Sequence, residues 1–407
     1  MPIYPLSILV LLGATVLIGY AGSVIFRKTQ IPDILWLLVF GFVSSFFIDK
    51  NIFITAFPLL SALAIMFIMF DAGLNIRPKS KITNAKTGAA FALITFFVSI
   101  IFLGFISSKF LGIALIEGLL LSTALVVTSS ETIITLLKSM KIRQSVRDIL
   151  DFESIIKDPM SIIVAIILVG LIVPSTSLQN TFISSLLGGI AVGLMGGIFW
   201  LKIKNSKRLY HILTIALLFL LYALSEIFFS GGAIAAIVFG AVLGNNKIIY
   251  KIHREKQEEN KKHFDHGTMR SFQAEMTFFI RSFFFVFIGL IADVSIQHVV
   301  YGIMLAFIVI ILRFFIVSGI TLKMPMSKAD KDVSRFMVPL GLSAALLSTM
   351  PLTYGLTNLM FFPSVIFVVM IATLVYTTVA SRLVAHFYDT SGKRKLLQRK
   401  IDTTTRE

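Results

Sequence analysis

The sequence predicts an all-α polytopic membrane protein with about 13 transmembrane helices. Of its 407 residues, 57% are hydrophobic and only 14% are charged, which is unlike a soluble domain. A helix needs about 20 mostly apolar residues to cross a bilayer. Thirteen segments meet or approach this requirement: 5–26, 31–49, 53–74, 87–108, 112–137, 148–172, 179–201, 207–229, 231–244, 271–293, 297–322, 333–354 and 359–385.

The basic residues fall mainly in alternate loops. Of the 37 Lys and Arg residues, 32 lie in the odd-numbered loops or at the C-terminal end, two lie in even-numbered loops, and three lie inside spans: Lys157, Arg281 and Arg313. This distribution follows the positive-inside rule. It predicts a multi-pass protein of the plasma membrane with the N-terminus outside and the C-terminus in the cytoplasm. A nucleic-acid partner is not expected, because such proteins gather their basic residues on one face.

Two spans contain small and polar residues where a plain transmembrane helix would be apolar. They are Val127–Thr132 in the fifth span and Val338–Ala345 in the twelfth. Irregular backbone at membrane depth is tolerated where it lines a cavity or is buried in protein. Both spans are therefore predicted to be broken helices, with the interruptions at Ser129, Ser130, Gly341 and Ser343. The alternative is that these small residues only allow close helix packing.

The matching positions of the two interruptions predict two inverted six-helix repeats. The repeats cover about residues 1–172 and 207–385 of a transmembrane domain 1–385, and the span 179–201 links them. The polar stretch 245–270 is predicted to be a cytoplasmic loop, and 386–407 a short basic cytoplasmic tail in contact with the lipid bilayer.

Five ionisable side chains are predicted to lie close together inside the membrane, where each costs roughly 3 kcal/mol. The fifth span carries Glu131, the sixth carries Glu153, Lys157 and Asp158, and the tenth carries Arg281. Glu153 and Lys157 are four residues apart on one helix face and are predicted to pair. Intramembrane charges usually mark an ion or proton path, so the sequence predicts an ion transporter. The alternative is a static network that holds the bundle together.

The oxygen atoms of this region suit a hard monovalent cation. The carboxylate of Asp158, the hydroxyls of Ser154 and Thr128, and the carbonyls of a broken fifth span are the candidate ligands, with Asp158 as the metal-binding residue. A single carboxylate can exchange a proton for a cation. The ions Na+, K+ or Li+ and H+ are then substrates, and neither a cofactor nor an enzyme activity is expected. The phosphate-binding Gly-x-x-x-x-Gly-Lys motif of ATPases is absent.

Four motifs resemble those of the monovalent cation/proton antiporter superfamily. Phe70–Pro78 is similar to the third-span signature with an acidic residue before Gly-Leu. Glu153-Ser154 with Asp158-Pro159 is similar to the sixth-span Glu-Ser-x-x-Asn-Asp-Pro motif. Arg281–Leu290 matches Arg-x-Phe-Phe-Phe, and Pro339–Ala345 matches Pro-x-Gly-Leu-x-Ala-Ala. The resemblance covers nearly the whole chain.

The resemblance implies a set of roles. Asp158 carries the cation and the proton, Glu153 pairs with Arg281, Ser154 and Thr128 help to form the site, and Asp71 shapes the cytoplasmic funnel. It also implies a homodimer in which a mobile core domain moves against a dimerisation domain. Two positions depart from the pattern: Lys157 replaces the usual Asn or Asp, and Thr128-Ser129-Ser130 replaces Thr-Asp-Pro.

Three functions are compatible with these features. The first is a secondary antiporter that exchanges Na+, or K+ or Li+, for protons by alternating access. The second is a proton-gated cation channel or leak without obligatory exchange, and the third is a non-transporting membrane sensor. Lys157 is expected to be a fixed counter-ion, held charged by Glu131 and Glu153, which favours electroneutral exchange. If Lys157 lost its own proton, exchange would be electrogenic.

Overall fold

The computed structural model describes residues 4–48, 50–75, 85–138, 140, 142–173, 178–203, 210–245, 266–322, 324 and 326–404. Within these ranges the regular structure is helical throughout. The α-helices are α1 Tyr4–Thr29, α2 Asp33–Ser44, α3 Lys50–Asn75, α4 Ala85–Leu111, α5 Leu115–Val126, α6 Ser130–Lys138, α7 Gln144–Ile172, α8 Leu178–Ile203, α9 Tyr210–Phe229, α10 Gly232–Gly244, α11 His266–Ile291, α12 Ile296–Thr321, α13 Lys328–Phe336, α14 Leu342–Ser348, α15 Met350–Thr353 and α16 Phe362–Thr404; a 3-10 turn spans Thr357–Leu359.

The apolar helices make this a multi-pass membrane protein. In the described ranges, eight helical segments are long and apolar enough to cross a membrane, and four further apolar helices are shorter. The exact number of thirteen spans, the inverted repeats and the domain limits stay predictions. The predicted loop 245–270 lies mostly outside the described residues, and the backbone of α16 continues through most of the predicted tail to Thr404.

Both predicted helix interruptions are present and include Ser129 and Gly341, whereas Ser130 and Ser343 lie in the helices that follow the breaks. Helix α5 ends at Val126 and α6 begins at Ser130, while α13 ends at Phe336 and α14 begins at Leu342. The two breaks meet, because the backbone N–H of Ser129 donates to the carbonyl of Pro339 at 2.7 Å. A Cβ at Gly341 would lie 2.8 Å from the Cβ of Ser129. Glycine at position 341 therefore permits the contact that joins the two interrupted helices.

Local sequence explains several helix ends. Pro32 immediately precedes α2, and Ser295 caps α12 by accepting a hydrogen bond from the N–H of His298 at 3.3 Å. Ser327 and Asp330 form a capping box at the start of α13. Pro159 lies inside α7, where it has no N–H to donate to the carbonyl of Ile155.

The helices pack as two groups. The first helix group comprises α1–α3 and α8–α11, and the second comprises α4–α7 and α12–α16; helices within each group pack mainly against one another. Contacts between the groups are fewer and involve chiefly α3 with α7 and α11 with α14. The two interrupted helices belong to the second helix group and face the first.

Glycine allows a close helix contact within the first helix group. A Cβ at Gly240 of α10 would overlap the carbonyl oxygen of Phe70 in α3, and the rings of Phe70 and Phe239 stack beside it with centroids 5.6 Å apart. Helix backbones that approach this closely need small residues at the contact. The contact fixes the position of the segment of α3 that also carries Asp71.

We predict that Gly240→Ala destabilises the protein by about 1–3 kcal/mol, because the methyl group forces α3 and α10 apart. The matched control is Gly319→Ala in α12, where an added Cβ meets no atom within 4 Å. The control should be as stable as the parent or slightly more stable, since alanine favours helix. Thermal unfolding in detergent measures both variants, and equal stability of the two would contradict the close contact.

Candidate functional site

A cavity of about 120 Å³ lies between the two helix groups. The first helix group contributes side chains from α3 and α11, and the second contributes the α5–α6 break, α7 and the start of α14. Nine of the residues that the sequence singled out line this cavity: Asp71, Thr128, Ser129, Ser130, Glu131, Asp158, Arg281, Gly341 and Ser343. The structure thus brings both broken helices and the central carboxylate to one place.

Oxygen atoms around Asp158 form the polar part of the cavity. The side chains of Ser343 and Asp158 line the cavity together. Thr128 is only 4% exposed, and its hydroxyl has no hydrogen-bond partner among the described residues. Ile155 also lines the cavity, and its carbonyl lacks the usual helical donor because residue 159 is proline. Buried polar atoms normally have a partner, so this arrangement leaves oxygen atoms available to a ligand.

Ser154, Glu153 and Lys157 do not line the cavity, although the sequence assigned all three to the site. Ser154 is fully buried and lies one hydrogen bond behind it, since the hydroxyl of Ser130 donates to the Ser154 hydroxyl at 2.7 Å. Ser154 in turn donates to the carbonyl of Asp151 at 3.0 Å. Its position supports Ser130 and the helix break instead of facing a cation directly.

Glu153 is the centre of a buried ionic network. The Lys157 ammonium lies 2.6 Å from Glu153 Oε1, which confirms the predicted pair. Arg313 binds the same carboxylate through both terminal nitrogens, with its Nη2 2.8 Å from Oε2. The Thr95 hydroxyl donates to Oε1 at 3.1 Å, and Arg313 Nη2 also donates to the carbonyl of Ser334 at 3.1 Å. Two cations on one carboxylate leave this network with one excess positive charge.

The predicted pair of Glu153 with Arg281 is wrong. Arg281 instead binds Asp33, with Nη2 2.8 Å from Oδ2, and forms an ion pair with Glu131. The resemblance implied this pair, but similar motifs do not specify which way each helix face points in this bundle. Arg281 faces the cavity from α11, whereas Glu153 faces α4 and α12.

The network around Arg281 carries one excess negative charge, because two carboxylates share one guanidinium. Glu131 therefore pairs with Arg281, and not with Lys157 as expected. The sequence interpretation missed Asp33 and gave Arg313 no partner. The signals were present, since Arg313 is one of three basic residues inside predicted spans and Asp33 is a lone acid at the start of an apolar segment.

The arrangement suits one monovalent cation with mixed oxygen ligands. Within the part of the chain that the structure describes, no three His, Asp or Glu side chains converge as a metal-binding cluster. Asp158 forms no ion pair with a Lys or Arg of that part. A hard cation in the cavity would therefore be bound by the Asp158 carboxylate together with hydroxyl and carbonyl oxygens, and the Asp71 carboxylate lines the same cavity.

Sequence comparisons identify related proteins. The family model described as sodium/hydrogen exchanger, transmembrane, matches residues 13–386. The chain is 26% identical over 313 residues to a probable Na+/H+ antiporter 2 of Methanocaldococcus jannaschii, covering 72% of this chain and 71% of the relative. It is 25% identical over 259 residues to the K+/H+ antiporter NhaP of Alkalimonas amylolytica, covering 60% of this chain and 44% of that protein.

The fold also matches a solved structure. The sodium proton antiporter MjNhaP1 of Methanocaldococcus jannaschii at pH 8 superimposes with a TM-score of 0.76 and 21% sequence identity. The match covers 93% of this chain and 100% of MjNhaP1. At this identity, the likeness establishes a shared fold.

We predict that Glu153→Gln destabilises the protein by about 3–5 kcal/mol, because it leaves Lys157 and Arg313 buried without their carboxylate. The control is Arg143→Gln, which removes an ion pair with Asp330 in which the arginine side chain is 62% exposed. That pair should contribute at most about 1 kcal/mol. Thermal unfolding in detergent compares them, and a Glu153→Gln variant as stable as the parent would refute the buried network.

Proposed function

Because this chain belongs to the sodium/hydrogen exchanger family, we propose that it is a secondary antiporter that exchanges monovalent cations for protons by alternating access. Asp158 is the shared carrier of the cation and the proton. Na+ is the principal cation, and K+ and Li+ are the alternatives, since one relative is described as a Na+/H+ antiporter and another as a K+/H+ antiporter. The protein works in the plasma membrane as a homodimer, with its N-terminus outside.

The placement of Asp158 carries this proposal. Its carboxylate lines a cavity between two helix groups, next to a buried Thr128 hydroxyl that has no partner in the described part of the chain. A bound Na+ would complete the coordination of Thr128 and would use the carbonyl of Ile155. Protonation of Asp158 replaces the cation with a neutral carboxylic acid, beside the Ser343 hydroxyl that lines the same cavity. The same oxygen atoms therefore serve both states of the carrier.

The charges around Asp158 support exchange of one cation for one proton. The Glu153 network has an excess charge of +1 and the Arg281 network an excess of −1, so the two networks are neutral together. Either one monovalent cation or one proton then neutralises the Asp158 carboxylate. Lys157 acts as a fixed counter-ion, because its ammonium is buried against Glu153 and lies outside the cavity.

The two helix groups provide the moving parts of the cycle. The second helix group holds Asp158 and both broken helices, and it contacts the first helix group less extensively than its own members contact one another. Movement of this group against the other would expose the cavity alternately to the two sides of the membrane. Asp71, on α3 of the first helix group, shapes the funnel through which ions reach Asp158. The inverted repeats would give the inward-open and outward-open states related helix arrangements.

A proton-gated channel built on the same residues is the second candidate from the sequence. Transport by purified protein in liposomes separates the two functions. An antiporter moves Na+ uphill when an opposing proton gradient is imposed, and a channel only dissipates gradients. No observation on the described residues favours the channel.

We predict that Asp158→Asn abolishes cation-dependent proton flux while the protein remains folded, because an amide can neither release a proton nor bind a cation as a carboxylate does. The control is Asp148→Asn, the same change on the same helix outside the cavity, where Asp148 accepts a hydrogen bond from Gln144 at 2.9 Å. The control should keep parental exchange. Dequenching of a pH-sensitive dye by Na+, K+ and Li+ measures both, and an active Asp158→Asn variant would disprove the assignment.

We predict that transport is electroneutral and stays electroneutral in Lys157→Asn. The lysine is buried against Glu153 and does not line the cavity, so we expect it to keep its proton when the cation binds. Currents on solid-supported membranes, and exchange rates with and without a valinomycin clamp, are the measurements. A transport current in the parent that disappears in Lys157→Asn would instead identify Lys157 as a second proton carrier.

A further inference from the structure

Arg281 connects the two helix groups across the cavity. It lies on α11 of the first helix group, and one terminal nitrogen binds Asp33 of α2 in the same group. The other terminal nitrogen binds Glu131, which lies on α6 of the second helix group. One guanidinium thus makes one bond within its own group and one bond to the opposite group.

The two bonds differ in exposure. The Asp33 side chain is 7% exposed, and the Glu131 side chain is 55% exposed. Asp33 is also fixed by its own helix, since its Oδ1 accepts a hydrogen bond from the N–H of Ile34 at 3.1 Å. The Phe278 ring lies 5.5 Å from the centre of the guanidinium, again within the first helix group. A solvent-exposed ion pair is weak and a buried one is costly to break.

We propose that Arg281 is an ionic gate at the mouth of the cavity. When the helix groups separate, the bond to Glu131 breaks and the bond to Asp33 remains, so the guanidinium stays with the first helix group. Asp33 then anchors Arg281 in the first helix group and competes with Glu131 for its guanidinium. Glu131 holds the gate closed, and it is the most exposed of the ionisable residues that line the cavity. This inference rests on the proposed alternating-access function and assigns the residues that restrict access.

The test is the rate at which a single cysteine inside the cavity reacts with a cationic methanethiosulfonate reagent. The natural sequence contains no cysteine, so the background is zero. Ala72→Cys supplies the target, because Ala72 lines the cavity and is buried. In this background, Glu131→Gln should react about two- to five-fold faster than the parent, which is the change expected on loss of an exposed ion pair. Glu275→Gln, the same change at an exposed position of α11, should react at the parental rate.

In the same background, Asp33→Asn should lower the reaction rate of the introduced cysteine below that of the parent. With Asp33 neutral, Arg281 keeps only the bond to Glu131, and the cross-group contact is strengthened. A purely structural role would give faster reaction in both variants. A parental rate in Glu131→Gln, or faster reaction in both Glu131→Gln and Asp33→Asn, would overturn the gate. The reaction needs no ion gradient, so its outcome is independent of whether the chain exchanges cations for protons.

Discussion

The pairing of buried charges is the constraint on which the rest of the structure depends. Lys157, Arg281 and Arg313 are all at least nine-tenths buried, and an uncompensated ion at such a position costs several kcal/mol. Each of them is bound to a carboxylate. The resulting contacts join helices that are distant in sequence, because Glu153 connects α7 to α12 and Arg281 connects α11 to both α2 and α6. The charges therefore determine how the apolar helices are placed around the cavity.

The broken helices supply oxygen atoms to the cavity that the ion pairs alone do not supply. An unbroken α5–α6 helix would satisfy its own backbone and would offer a cation few oxygen atoms. The interruption at residues 127–129, supported by the Ser129 contact to Pro339, instead brings the Thr128 hydroxyl into the cavity beside Asp158. Pro159 has a similar effect on α7, since it leaves the carbonyl of Ile155 without its helical donor. The polar cavity is thus built mainly from local exceptions to helix geometry.

The sequence was sufficient for features that depend on composition and on position along one helix. Hydropathy predicted the membrane helices, the small residues near Ser129 and Gly341 predicted both interruptions, and the four-residue spacing predicted the pair of Glu153 with Lys157. The partner of Arg281 was predicted incorrectly because partner choice depends on helix rotation and on neighbours across the bundle. Helical periodicity fixes the relative directions of the side chains on one helix. It does not fix the rotation of that helix about its axis in the bundle. Asp33 was missed for the same reason, since its ion pair with Arg281 depends on how α11 packs against α2.

The lysine at position 157 is accommodated by charge balance between the two networks. A carboxylate has about four lone-pair positions, so Glu153 can accept both Arg313 and Lys157, but the second cation adds a net positive charge beside Asp158. The Arg281 network contains a second carboxylate of its own, so Asp33 and Glu131 together exceed the charge of one arginine. The extra cation in one network is therefore matched by the extra anion in the other. Asp158 is left between them as a carboxylate that forms no ion pair with a Lys or Arg of the described residues, and this balance explains how a lysine can occupy the position next to it.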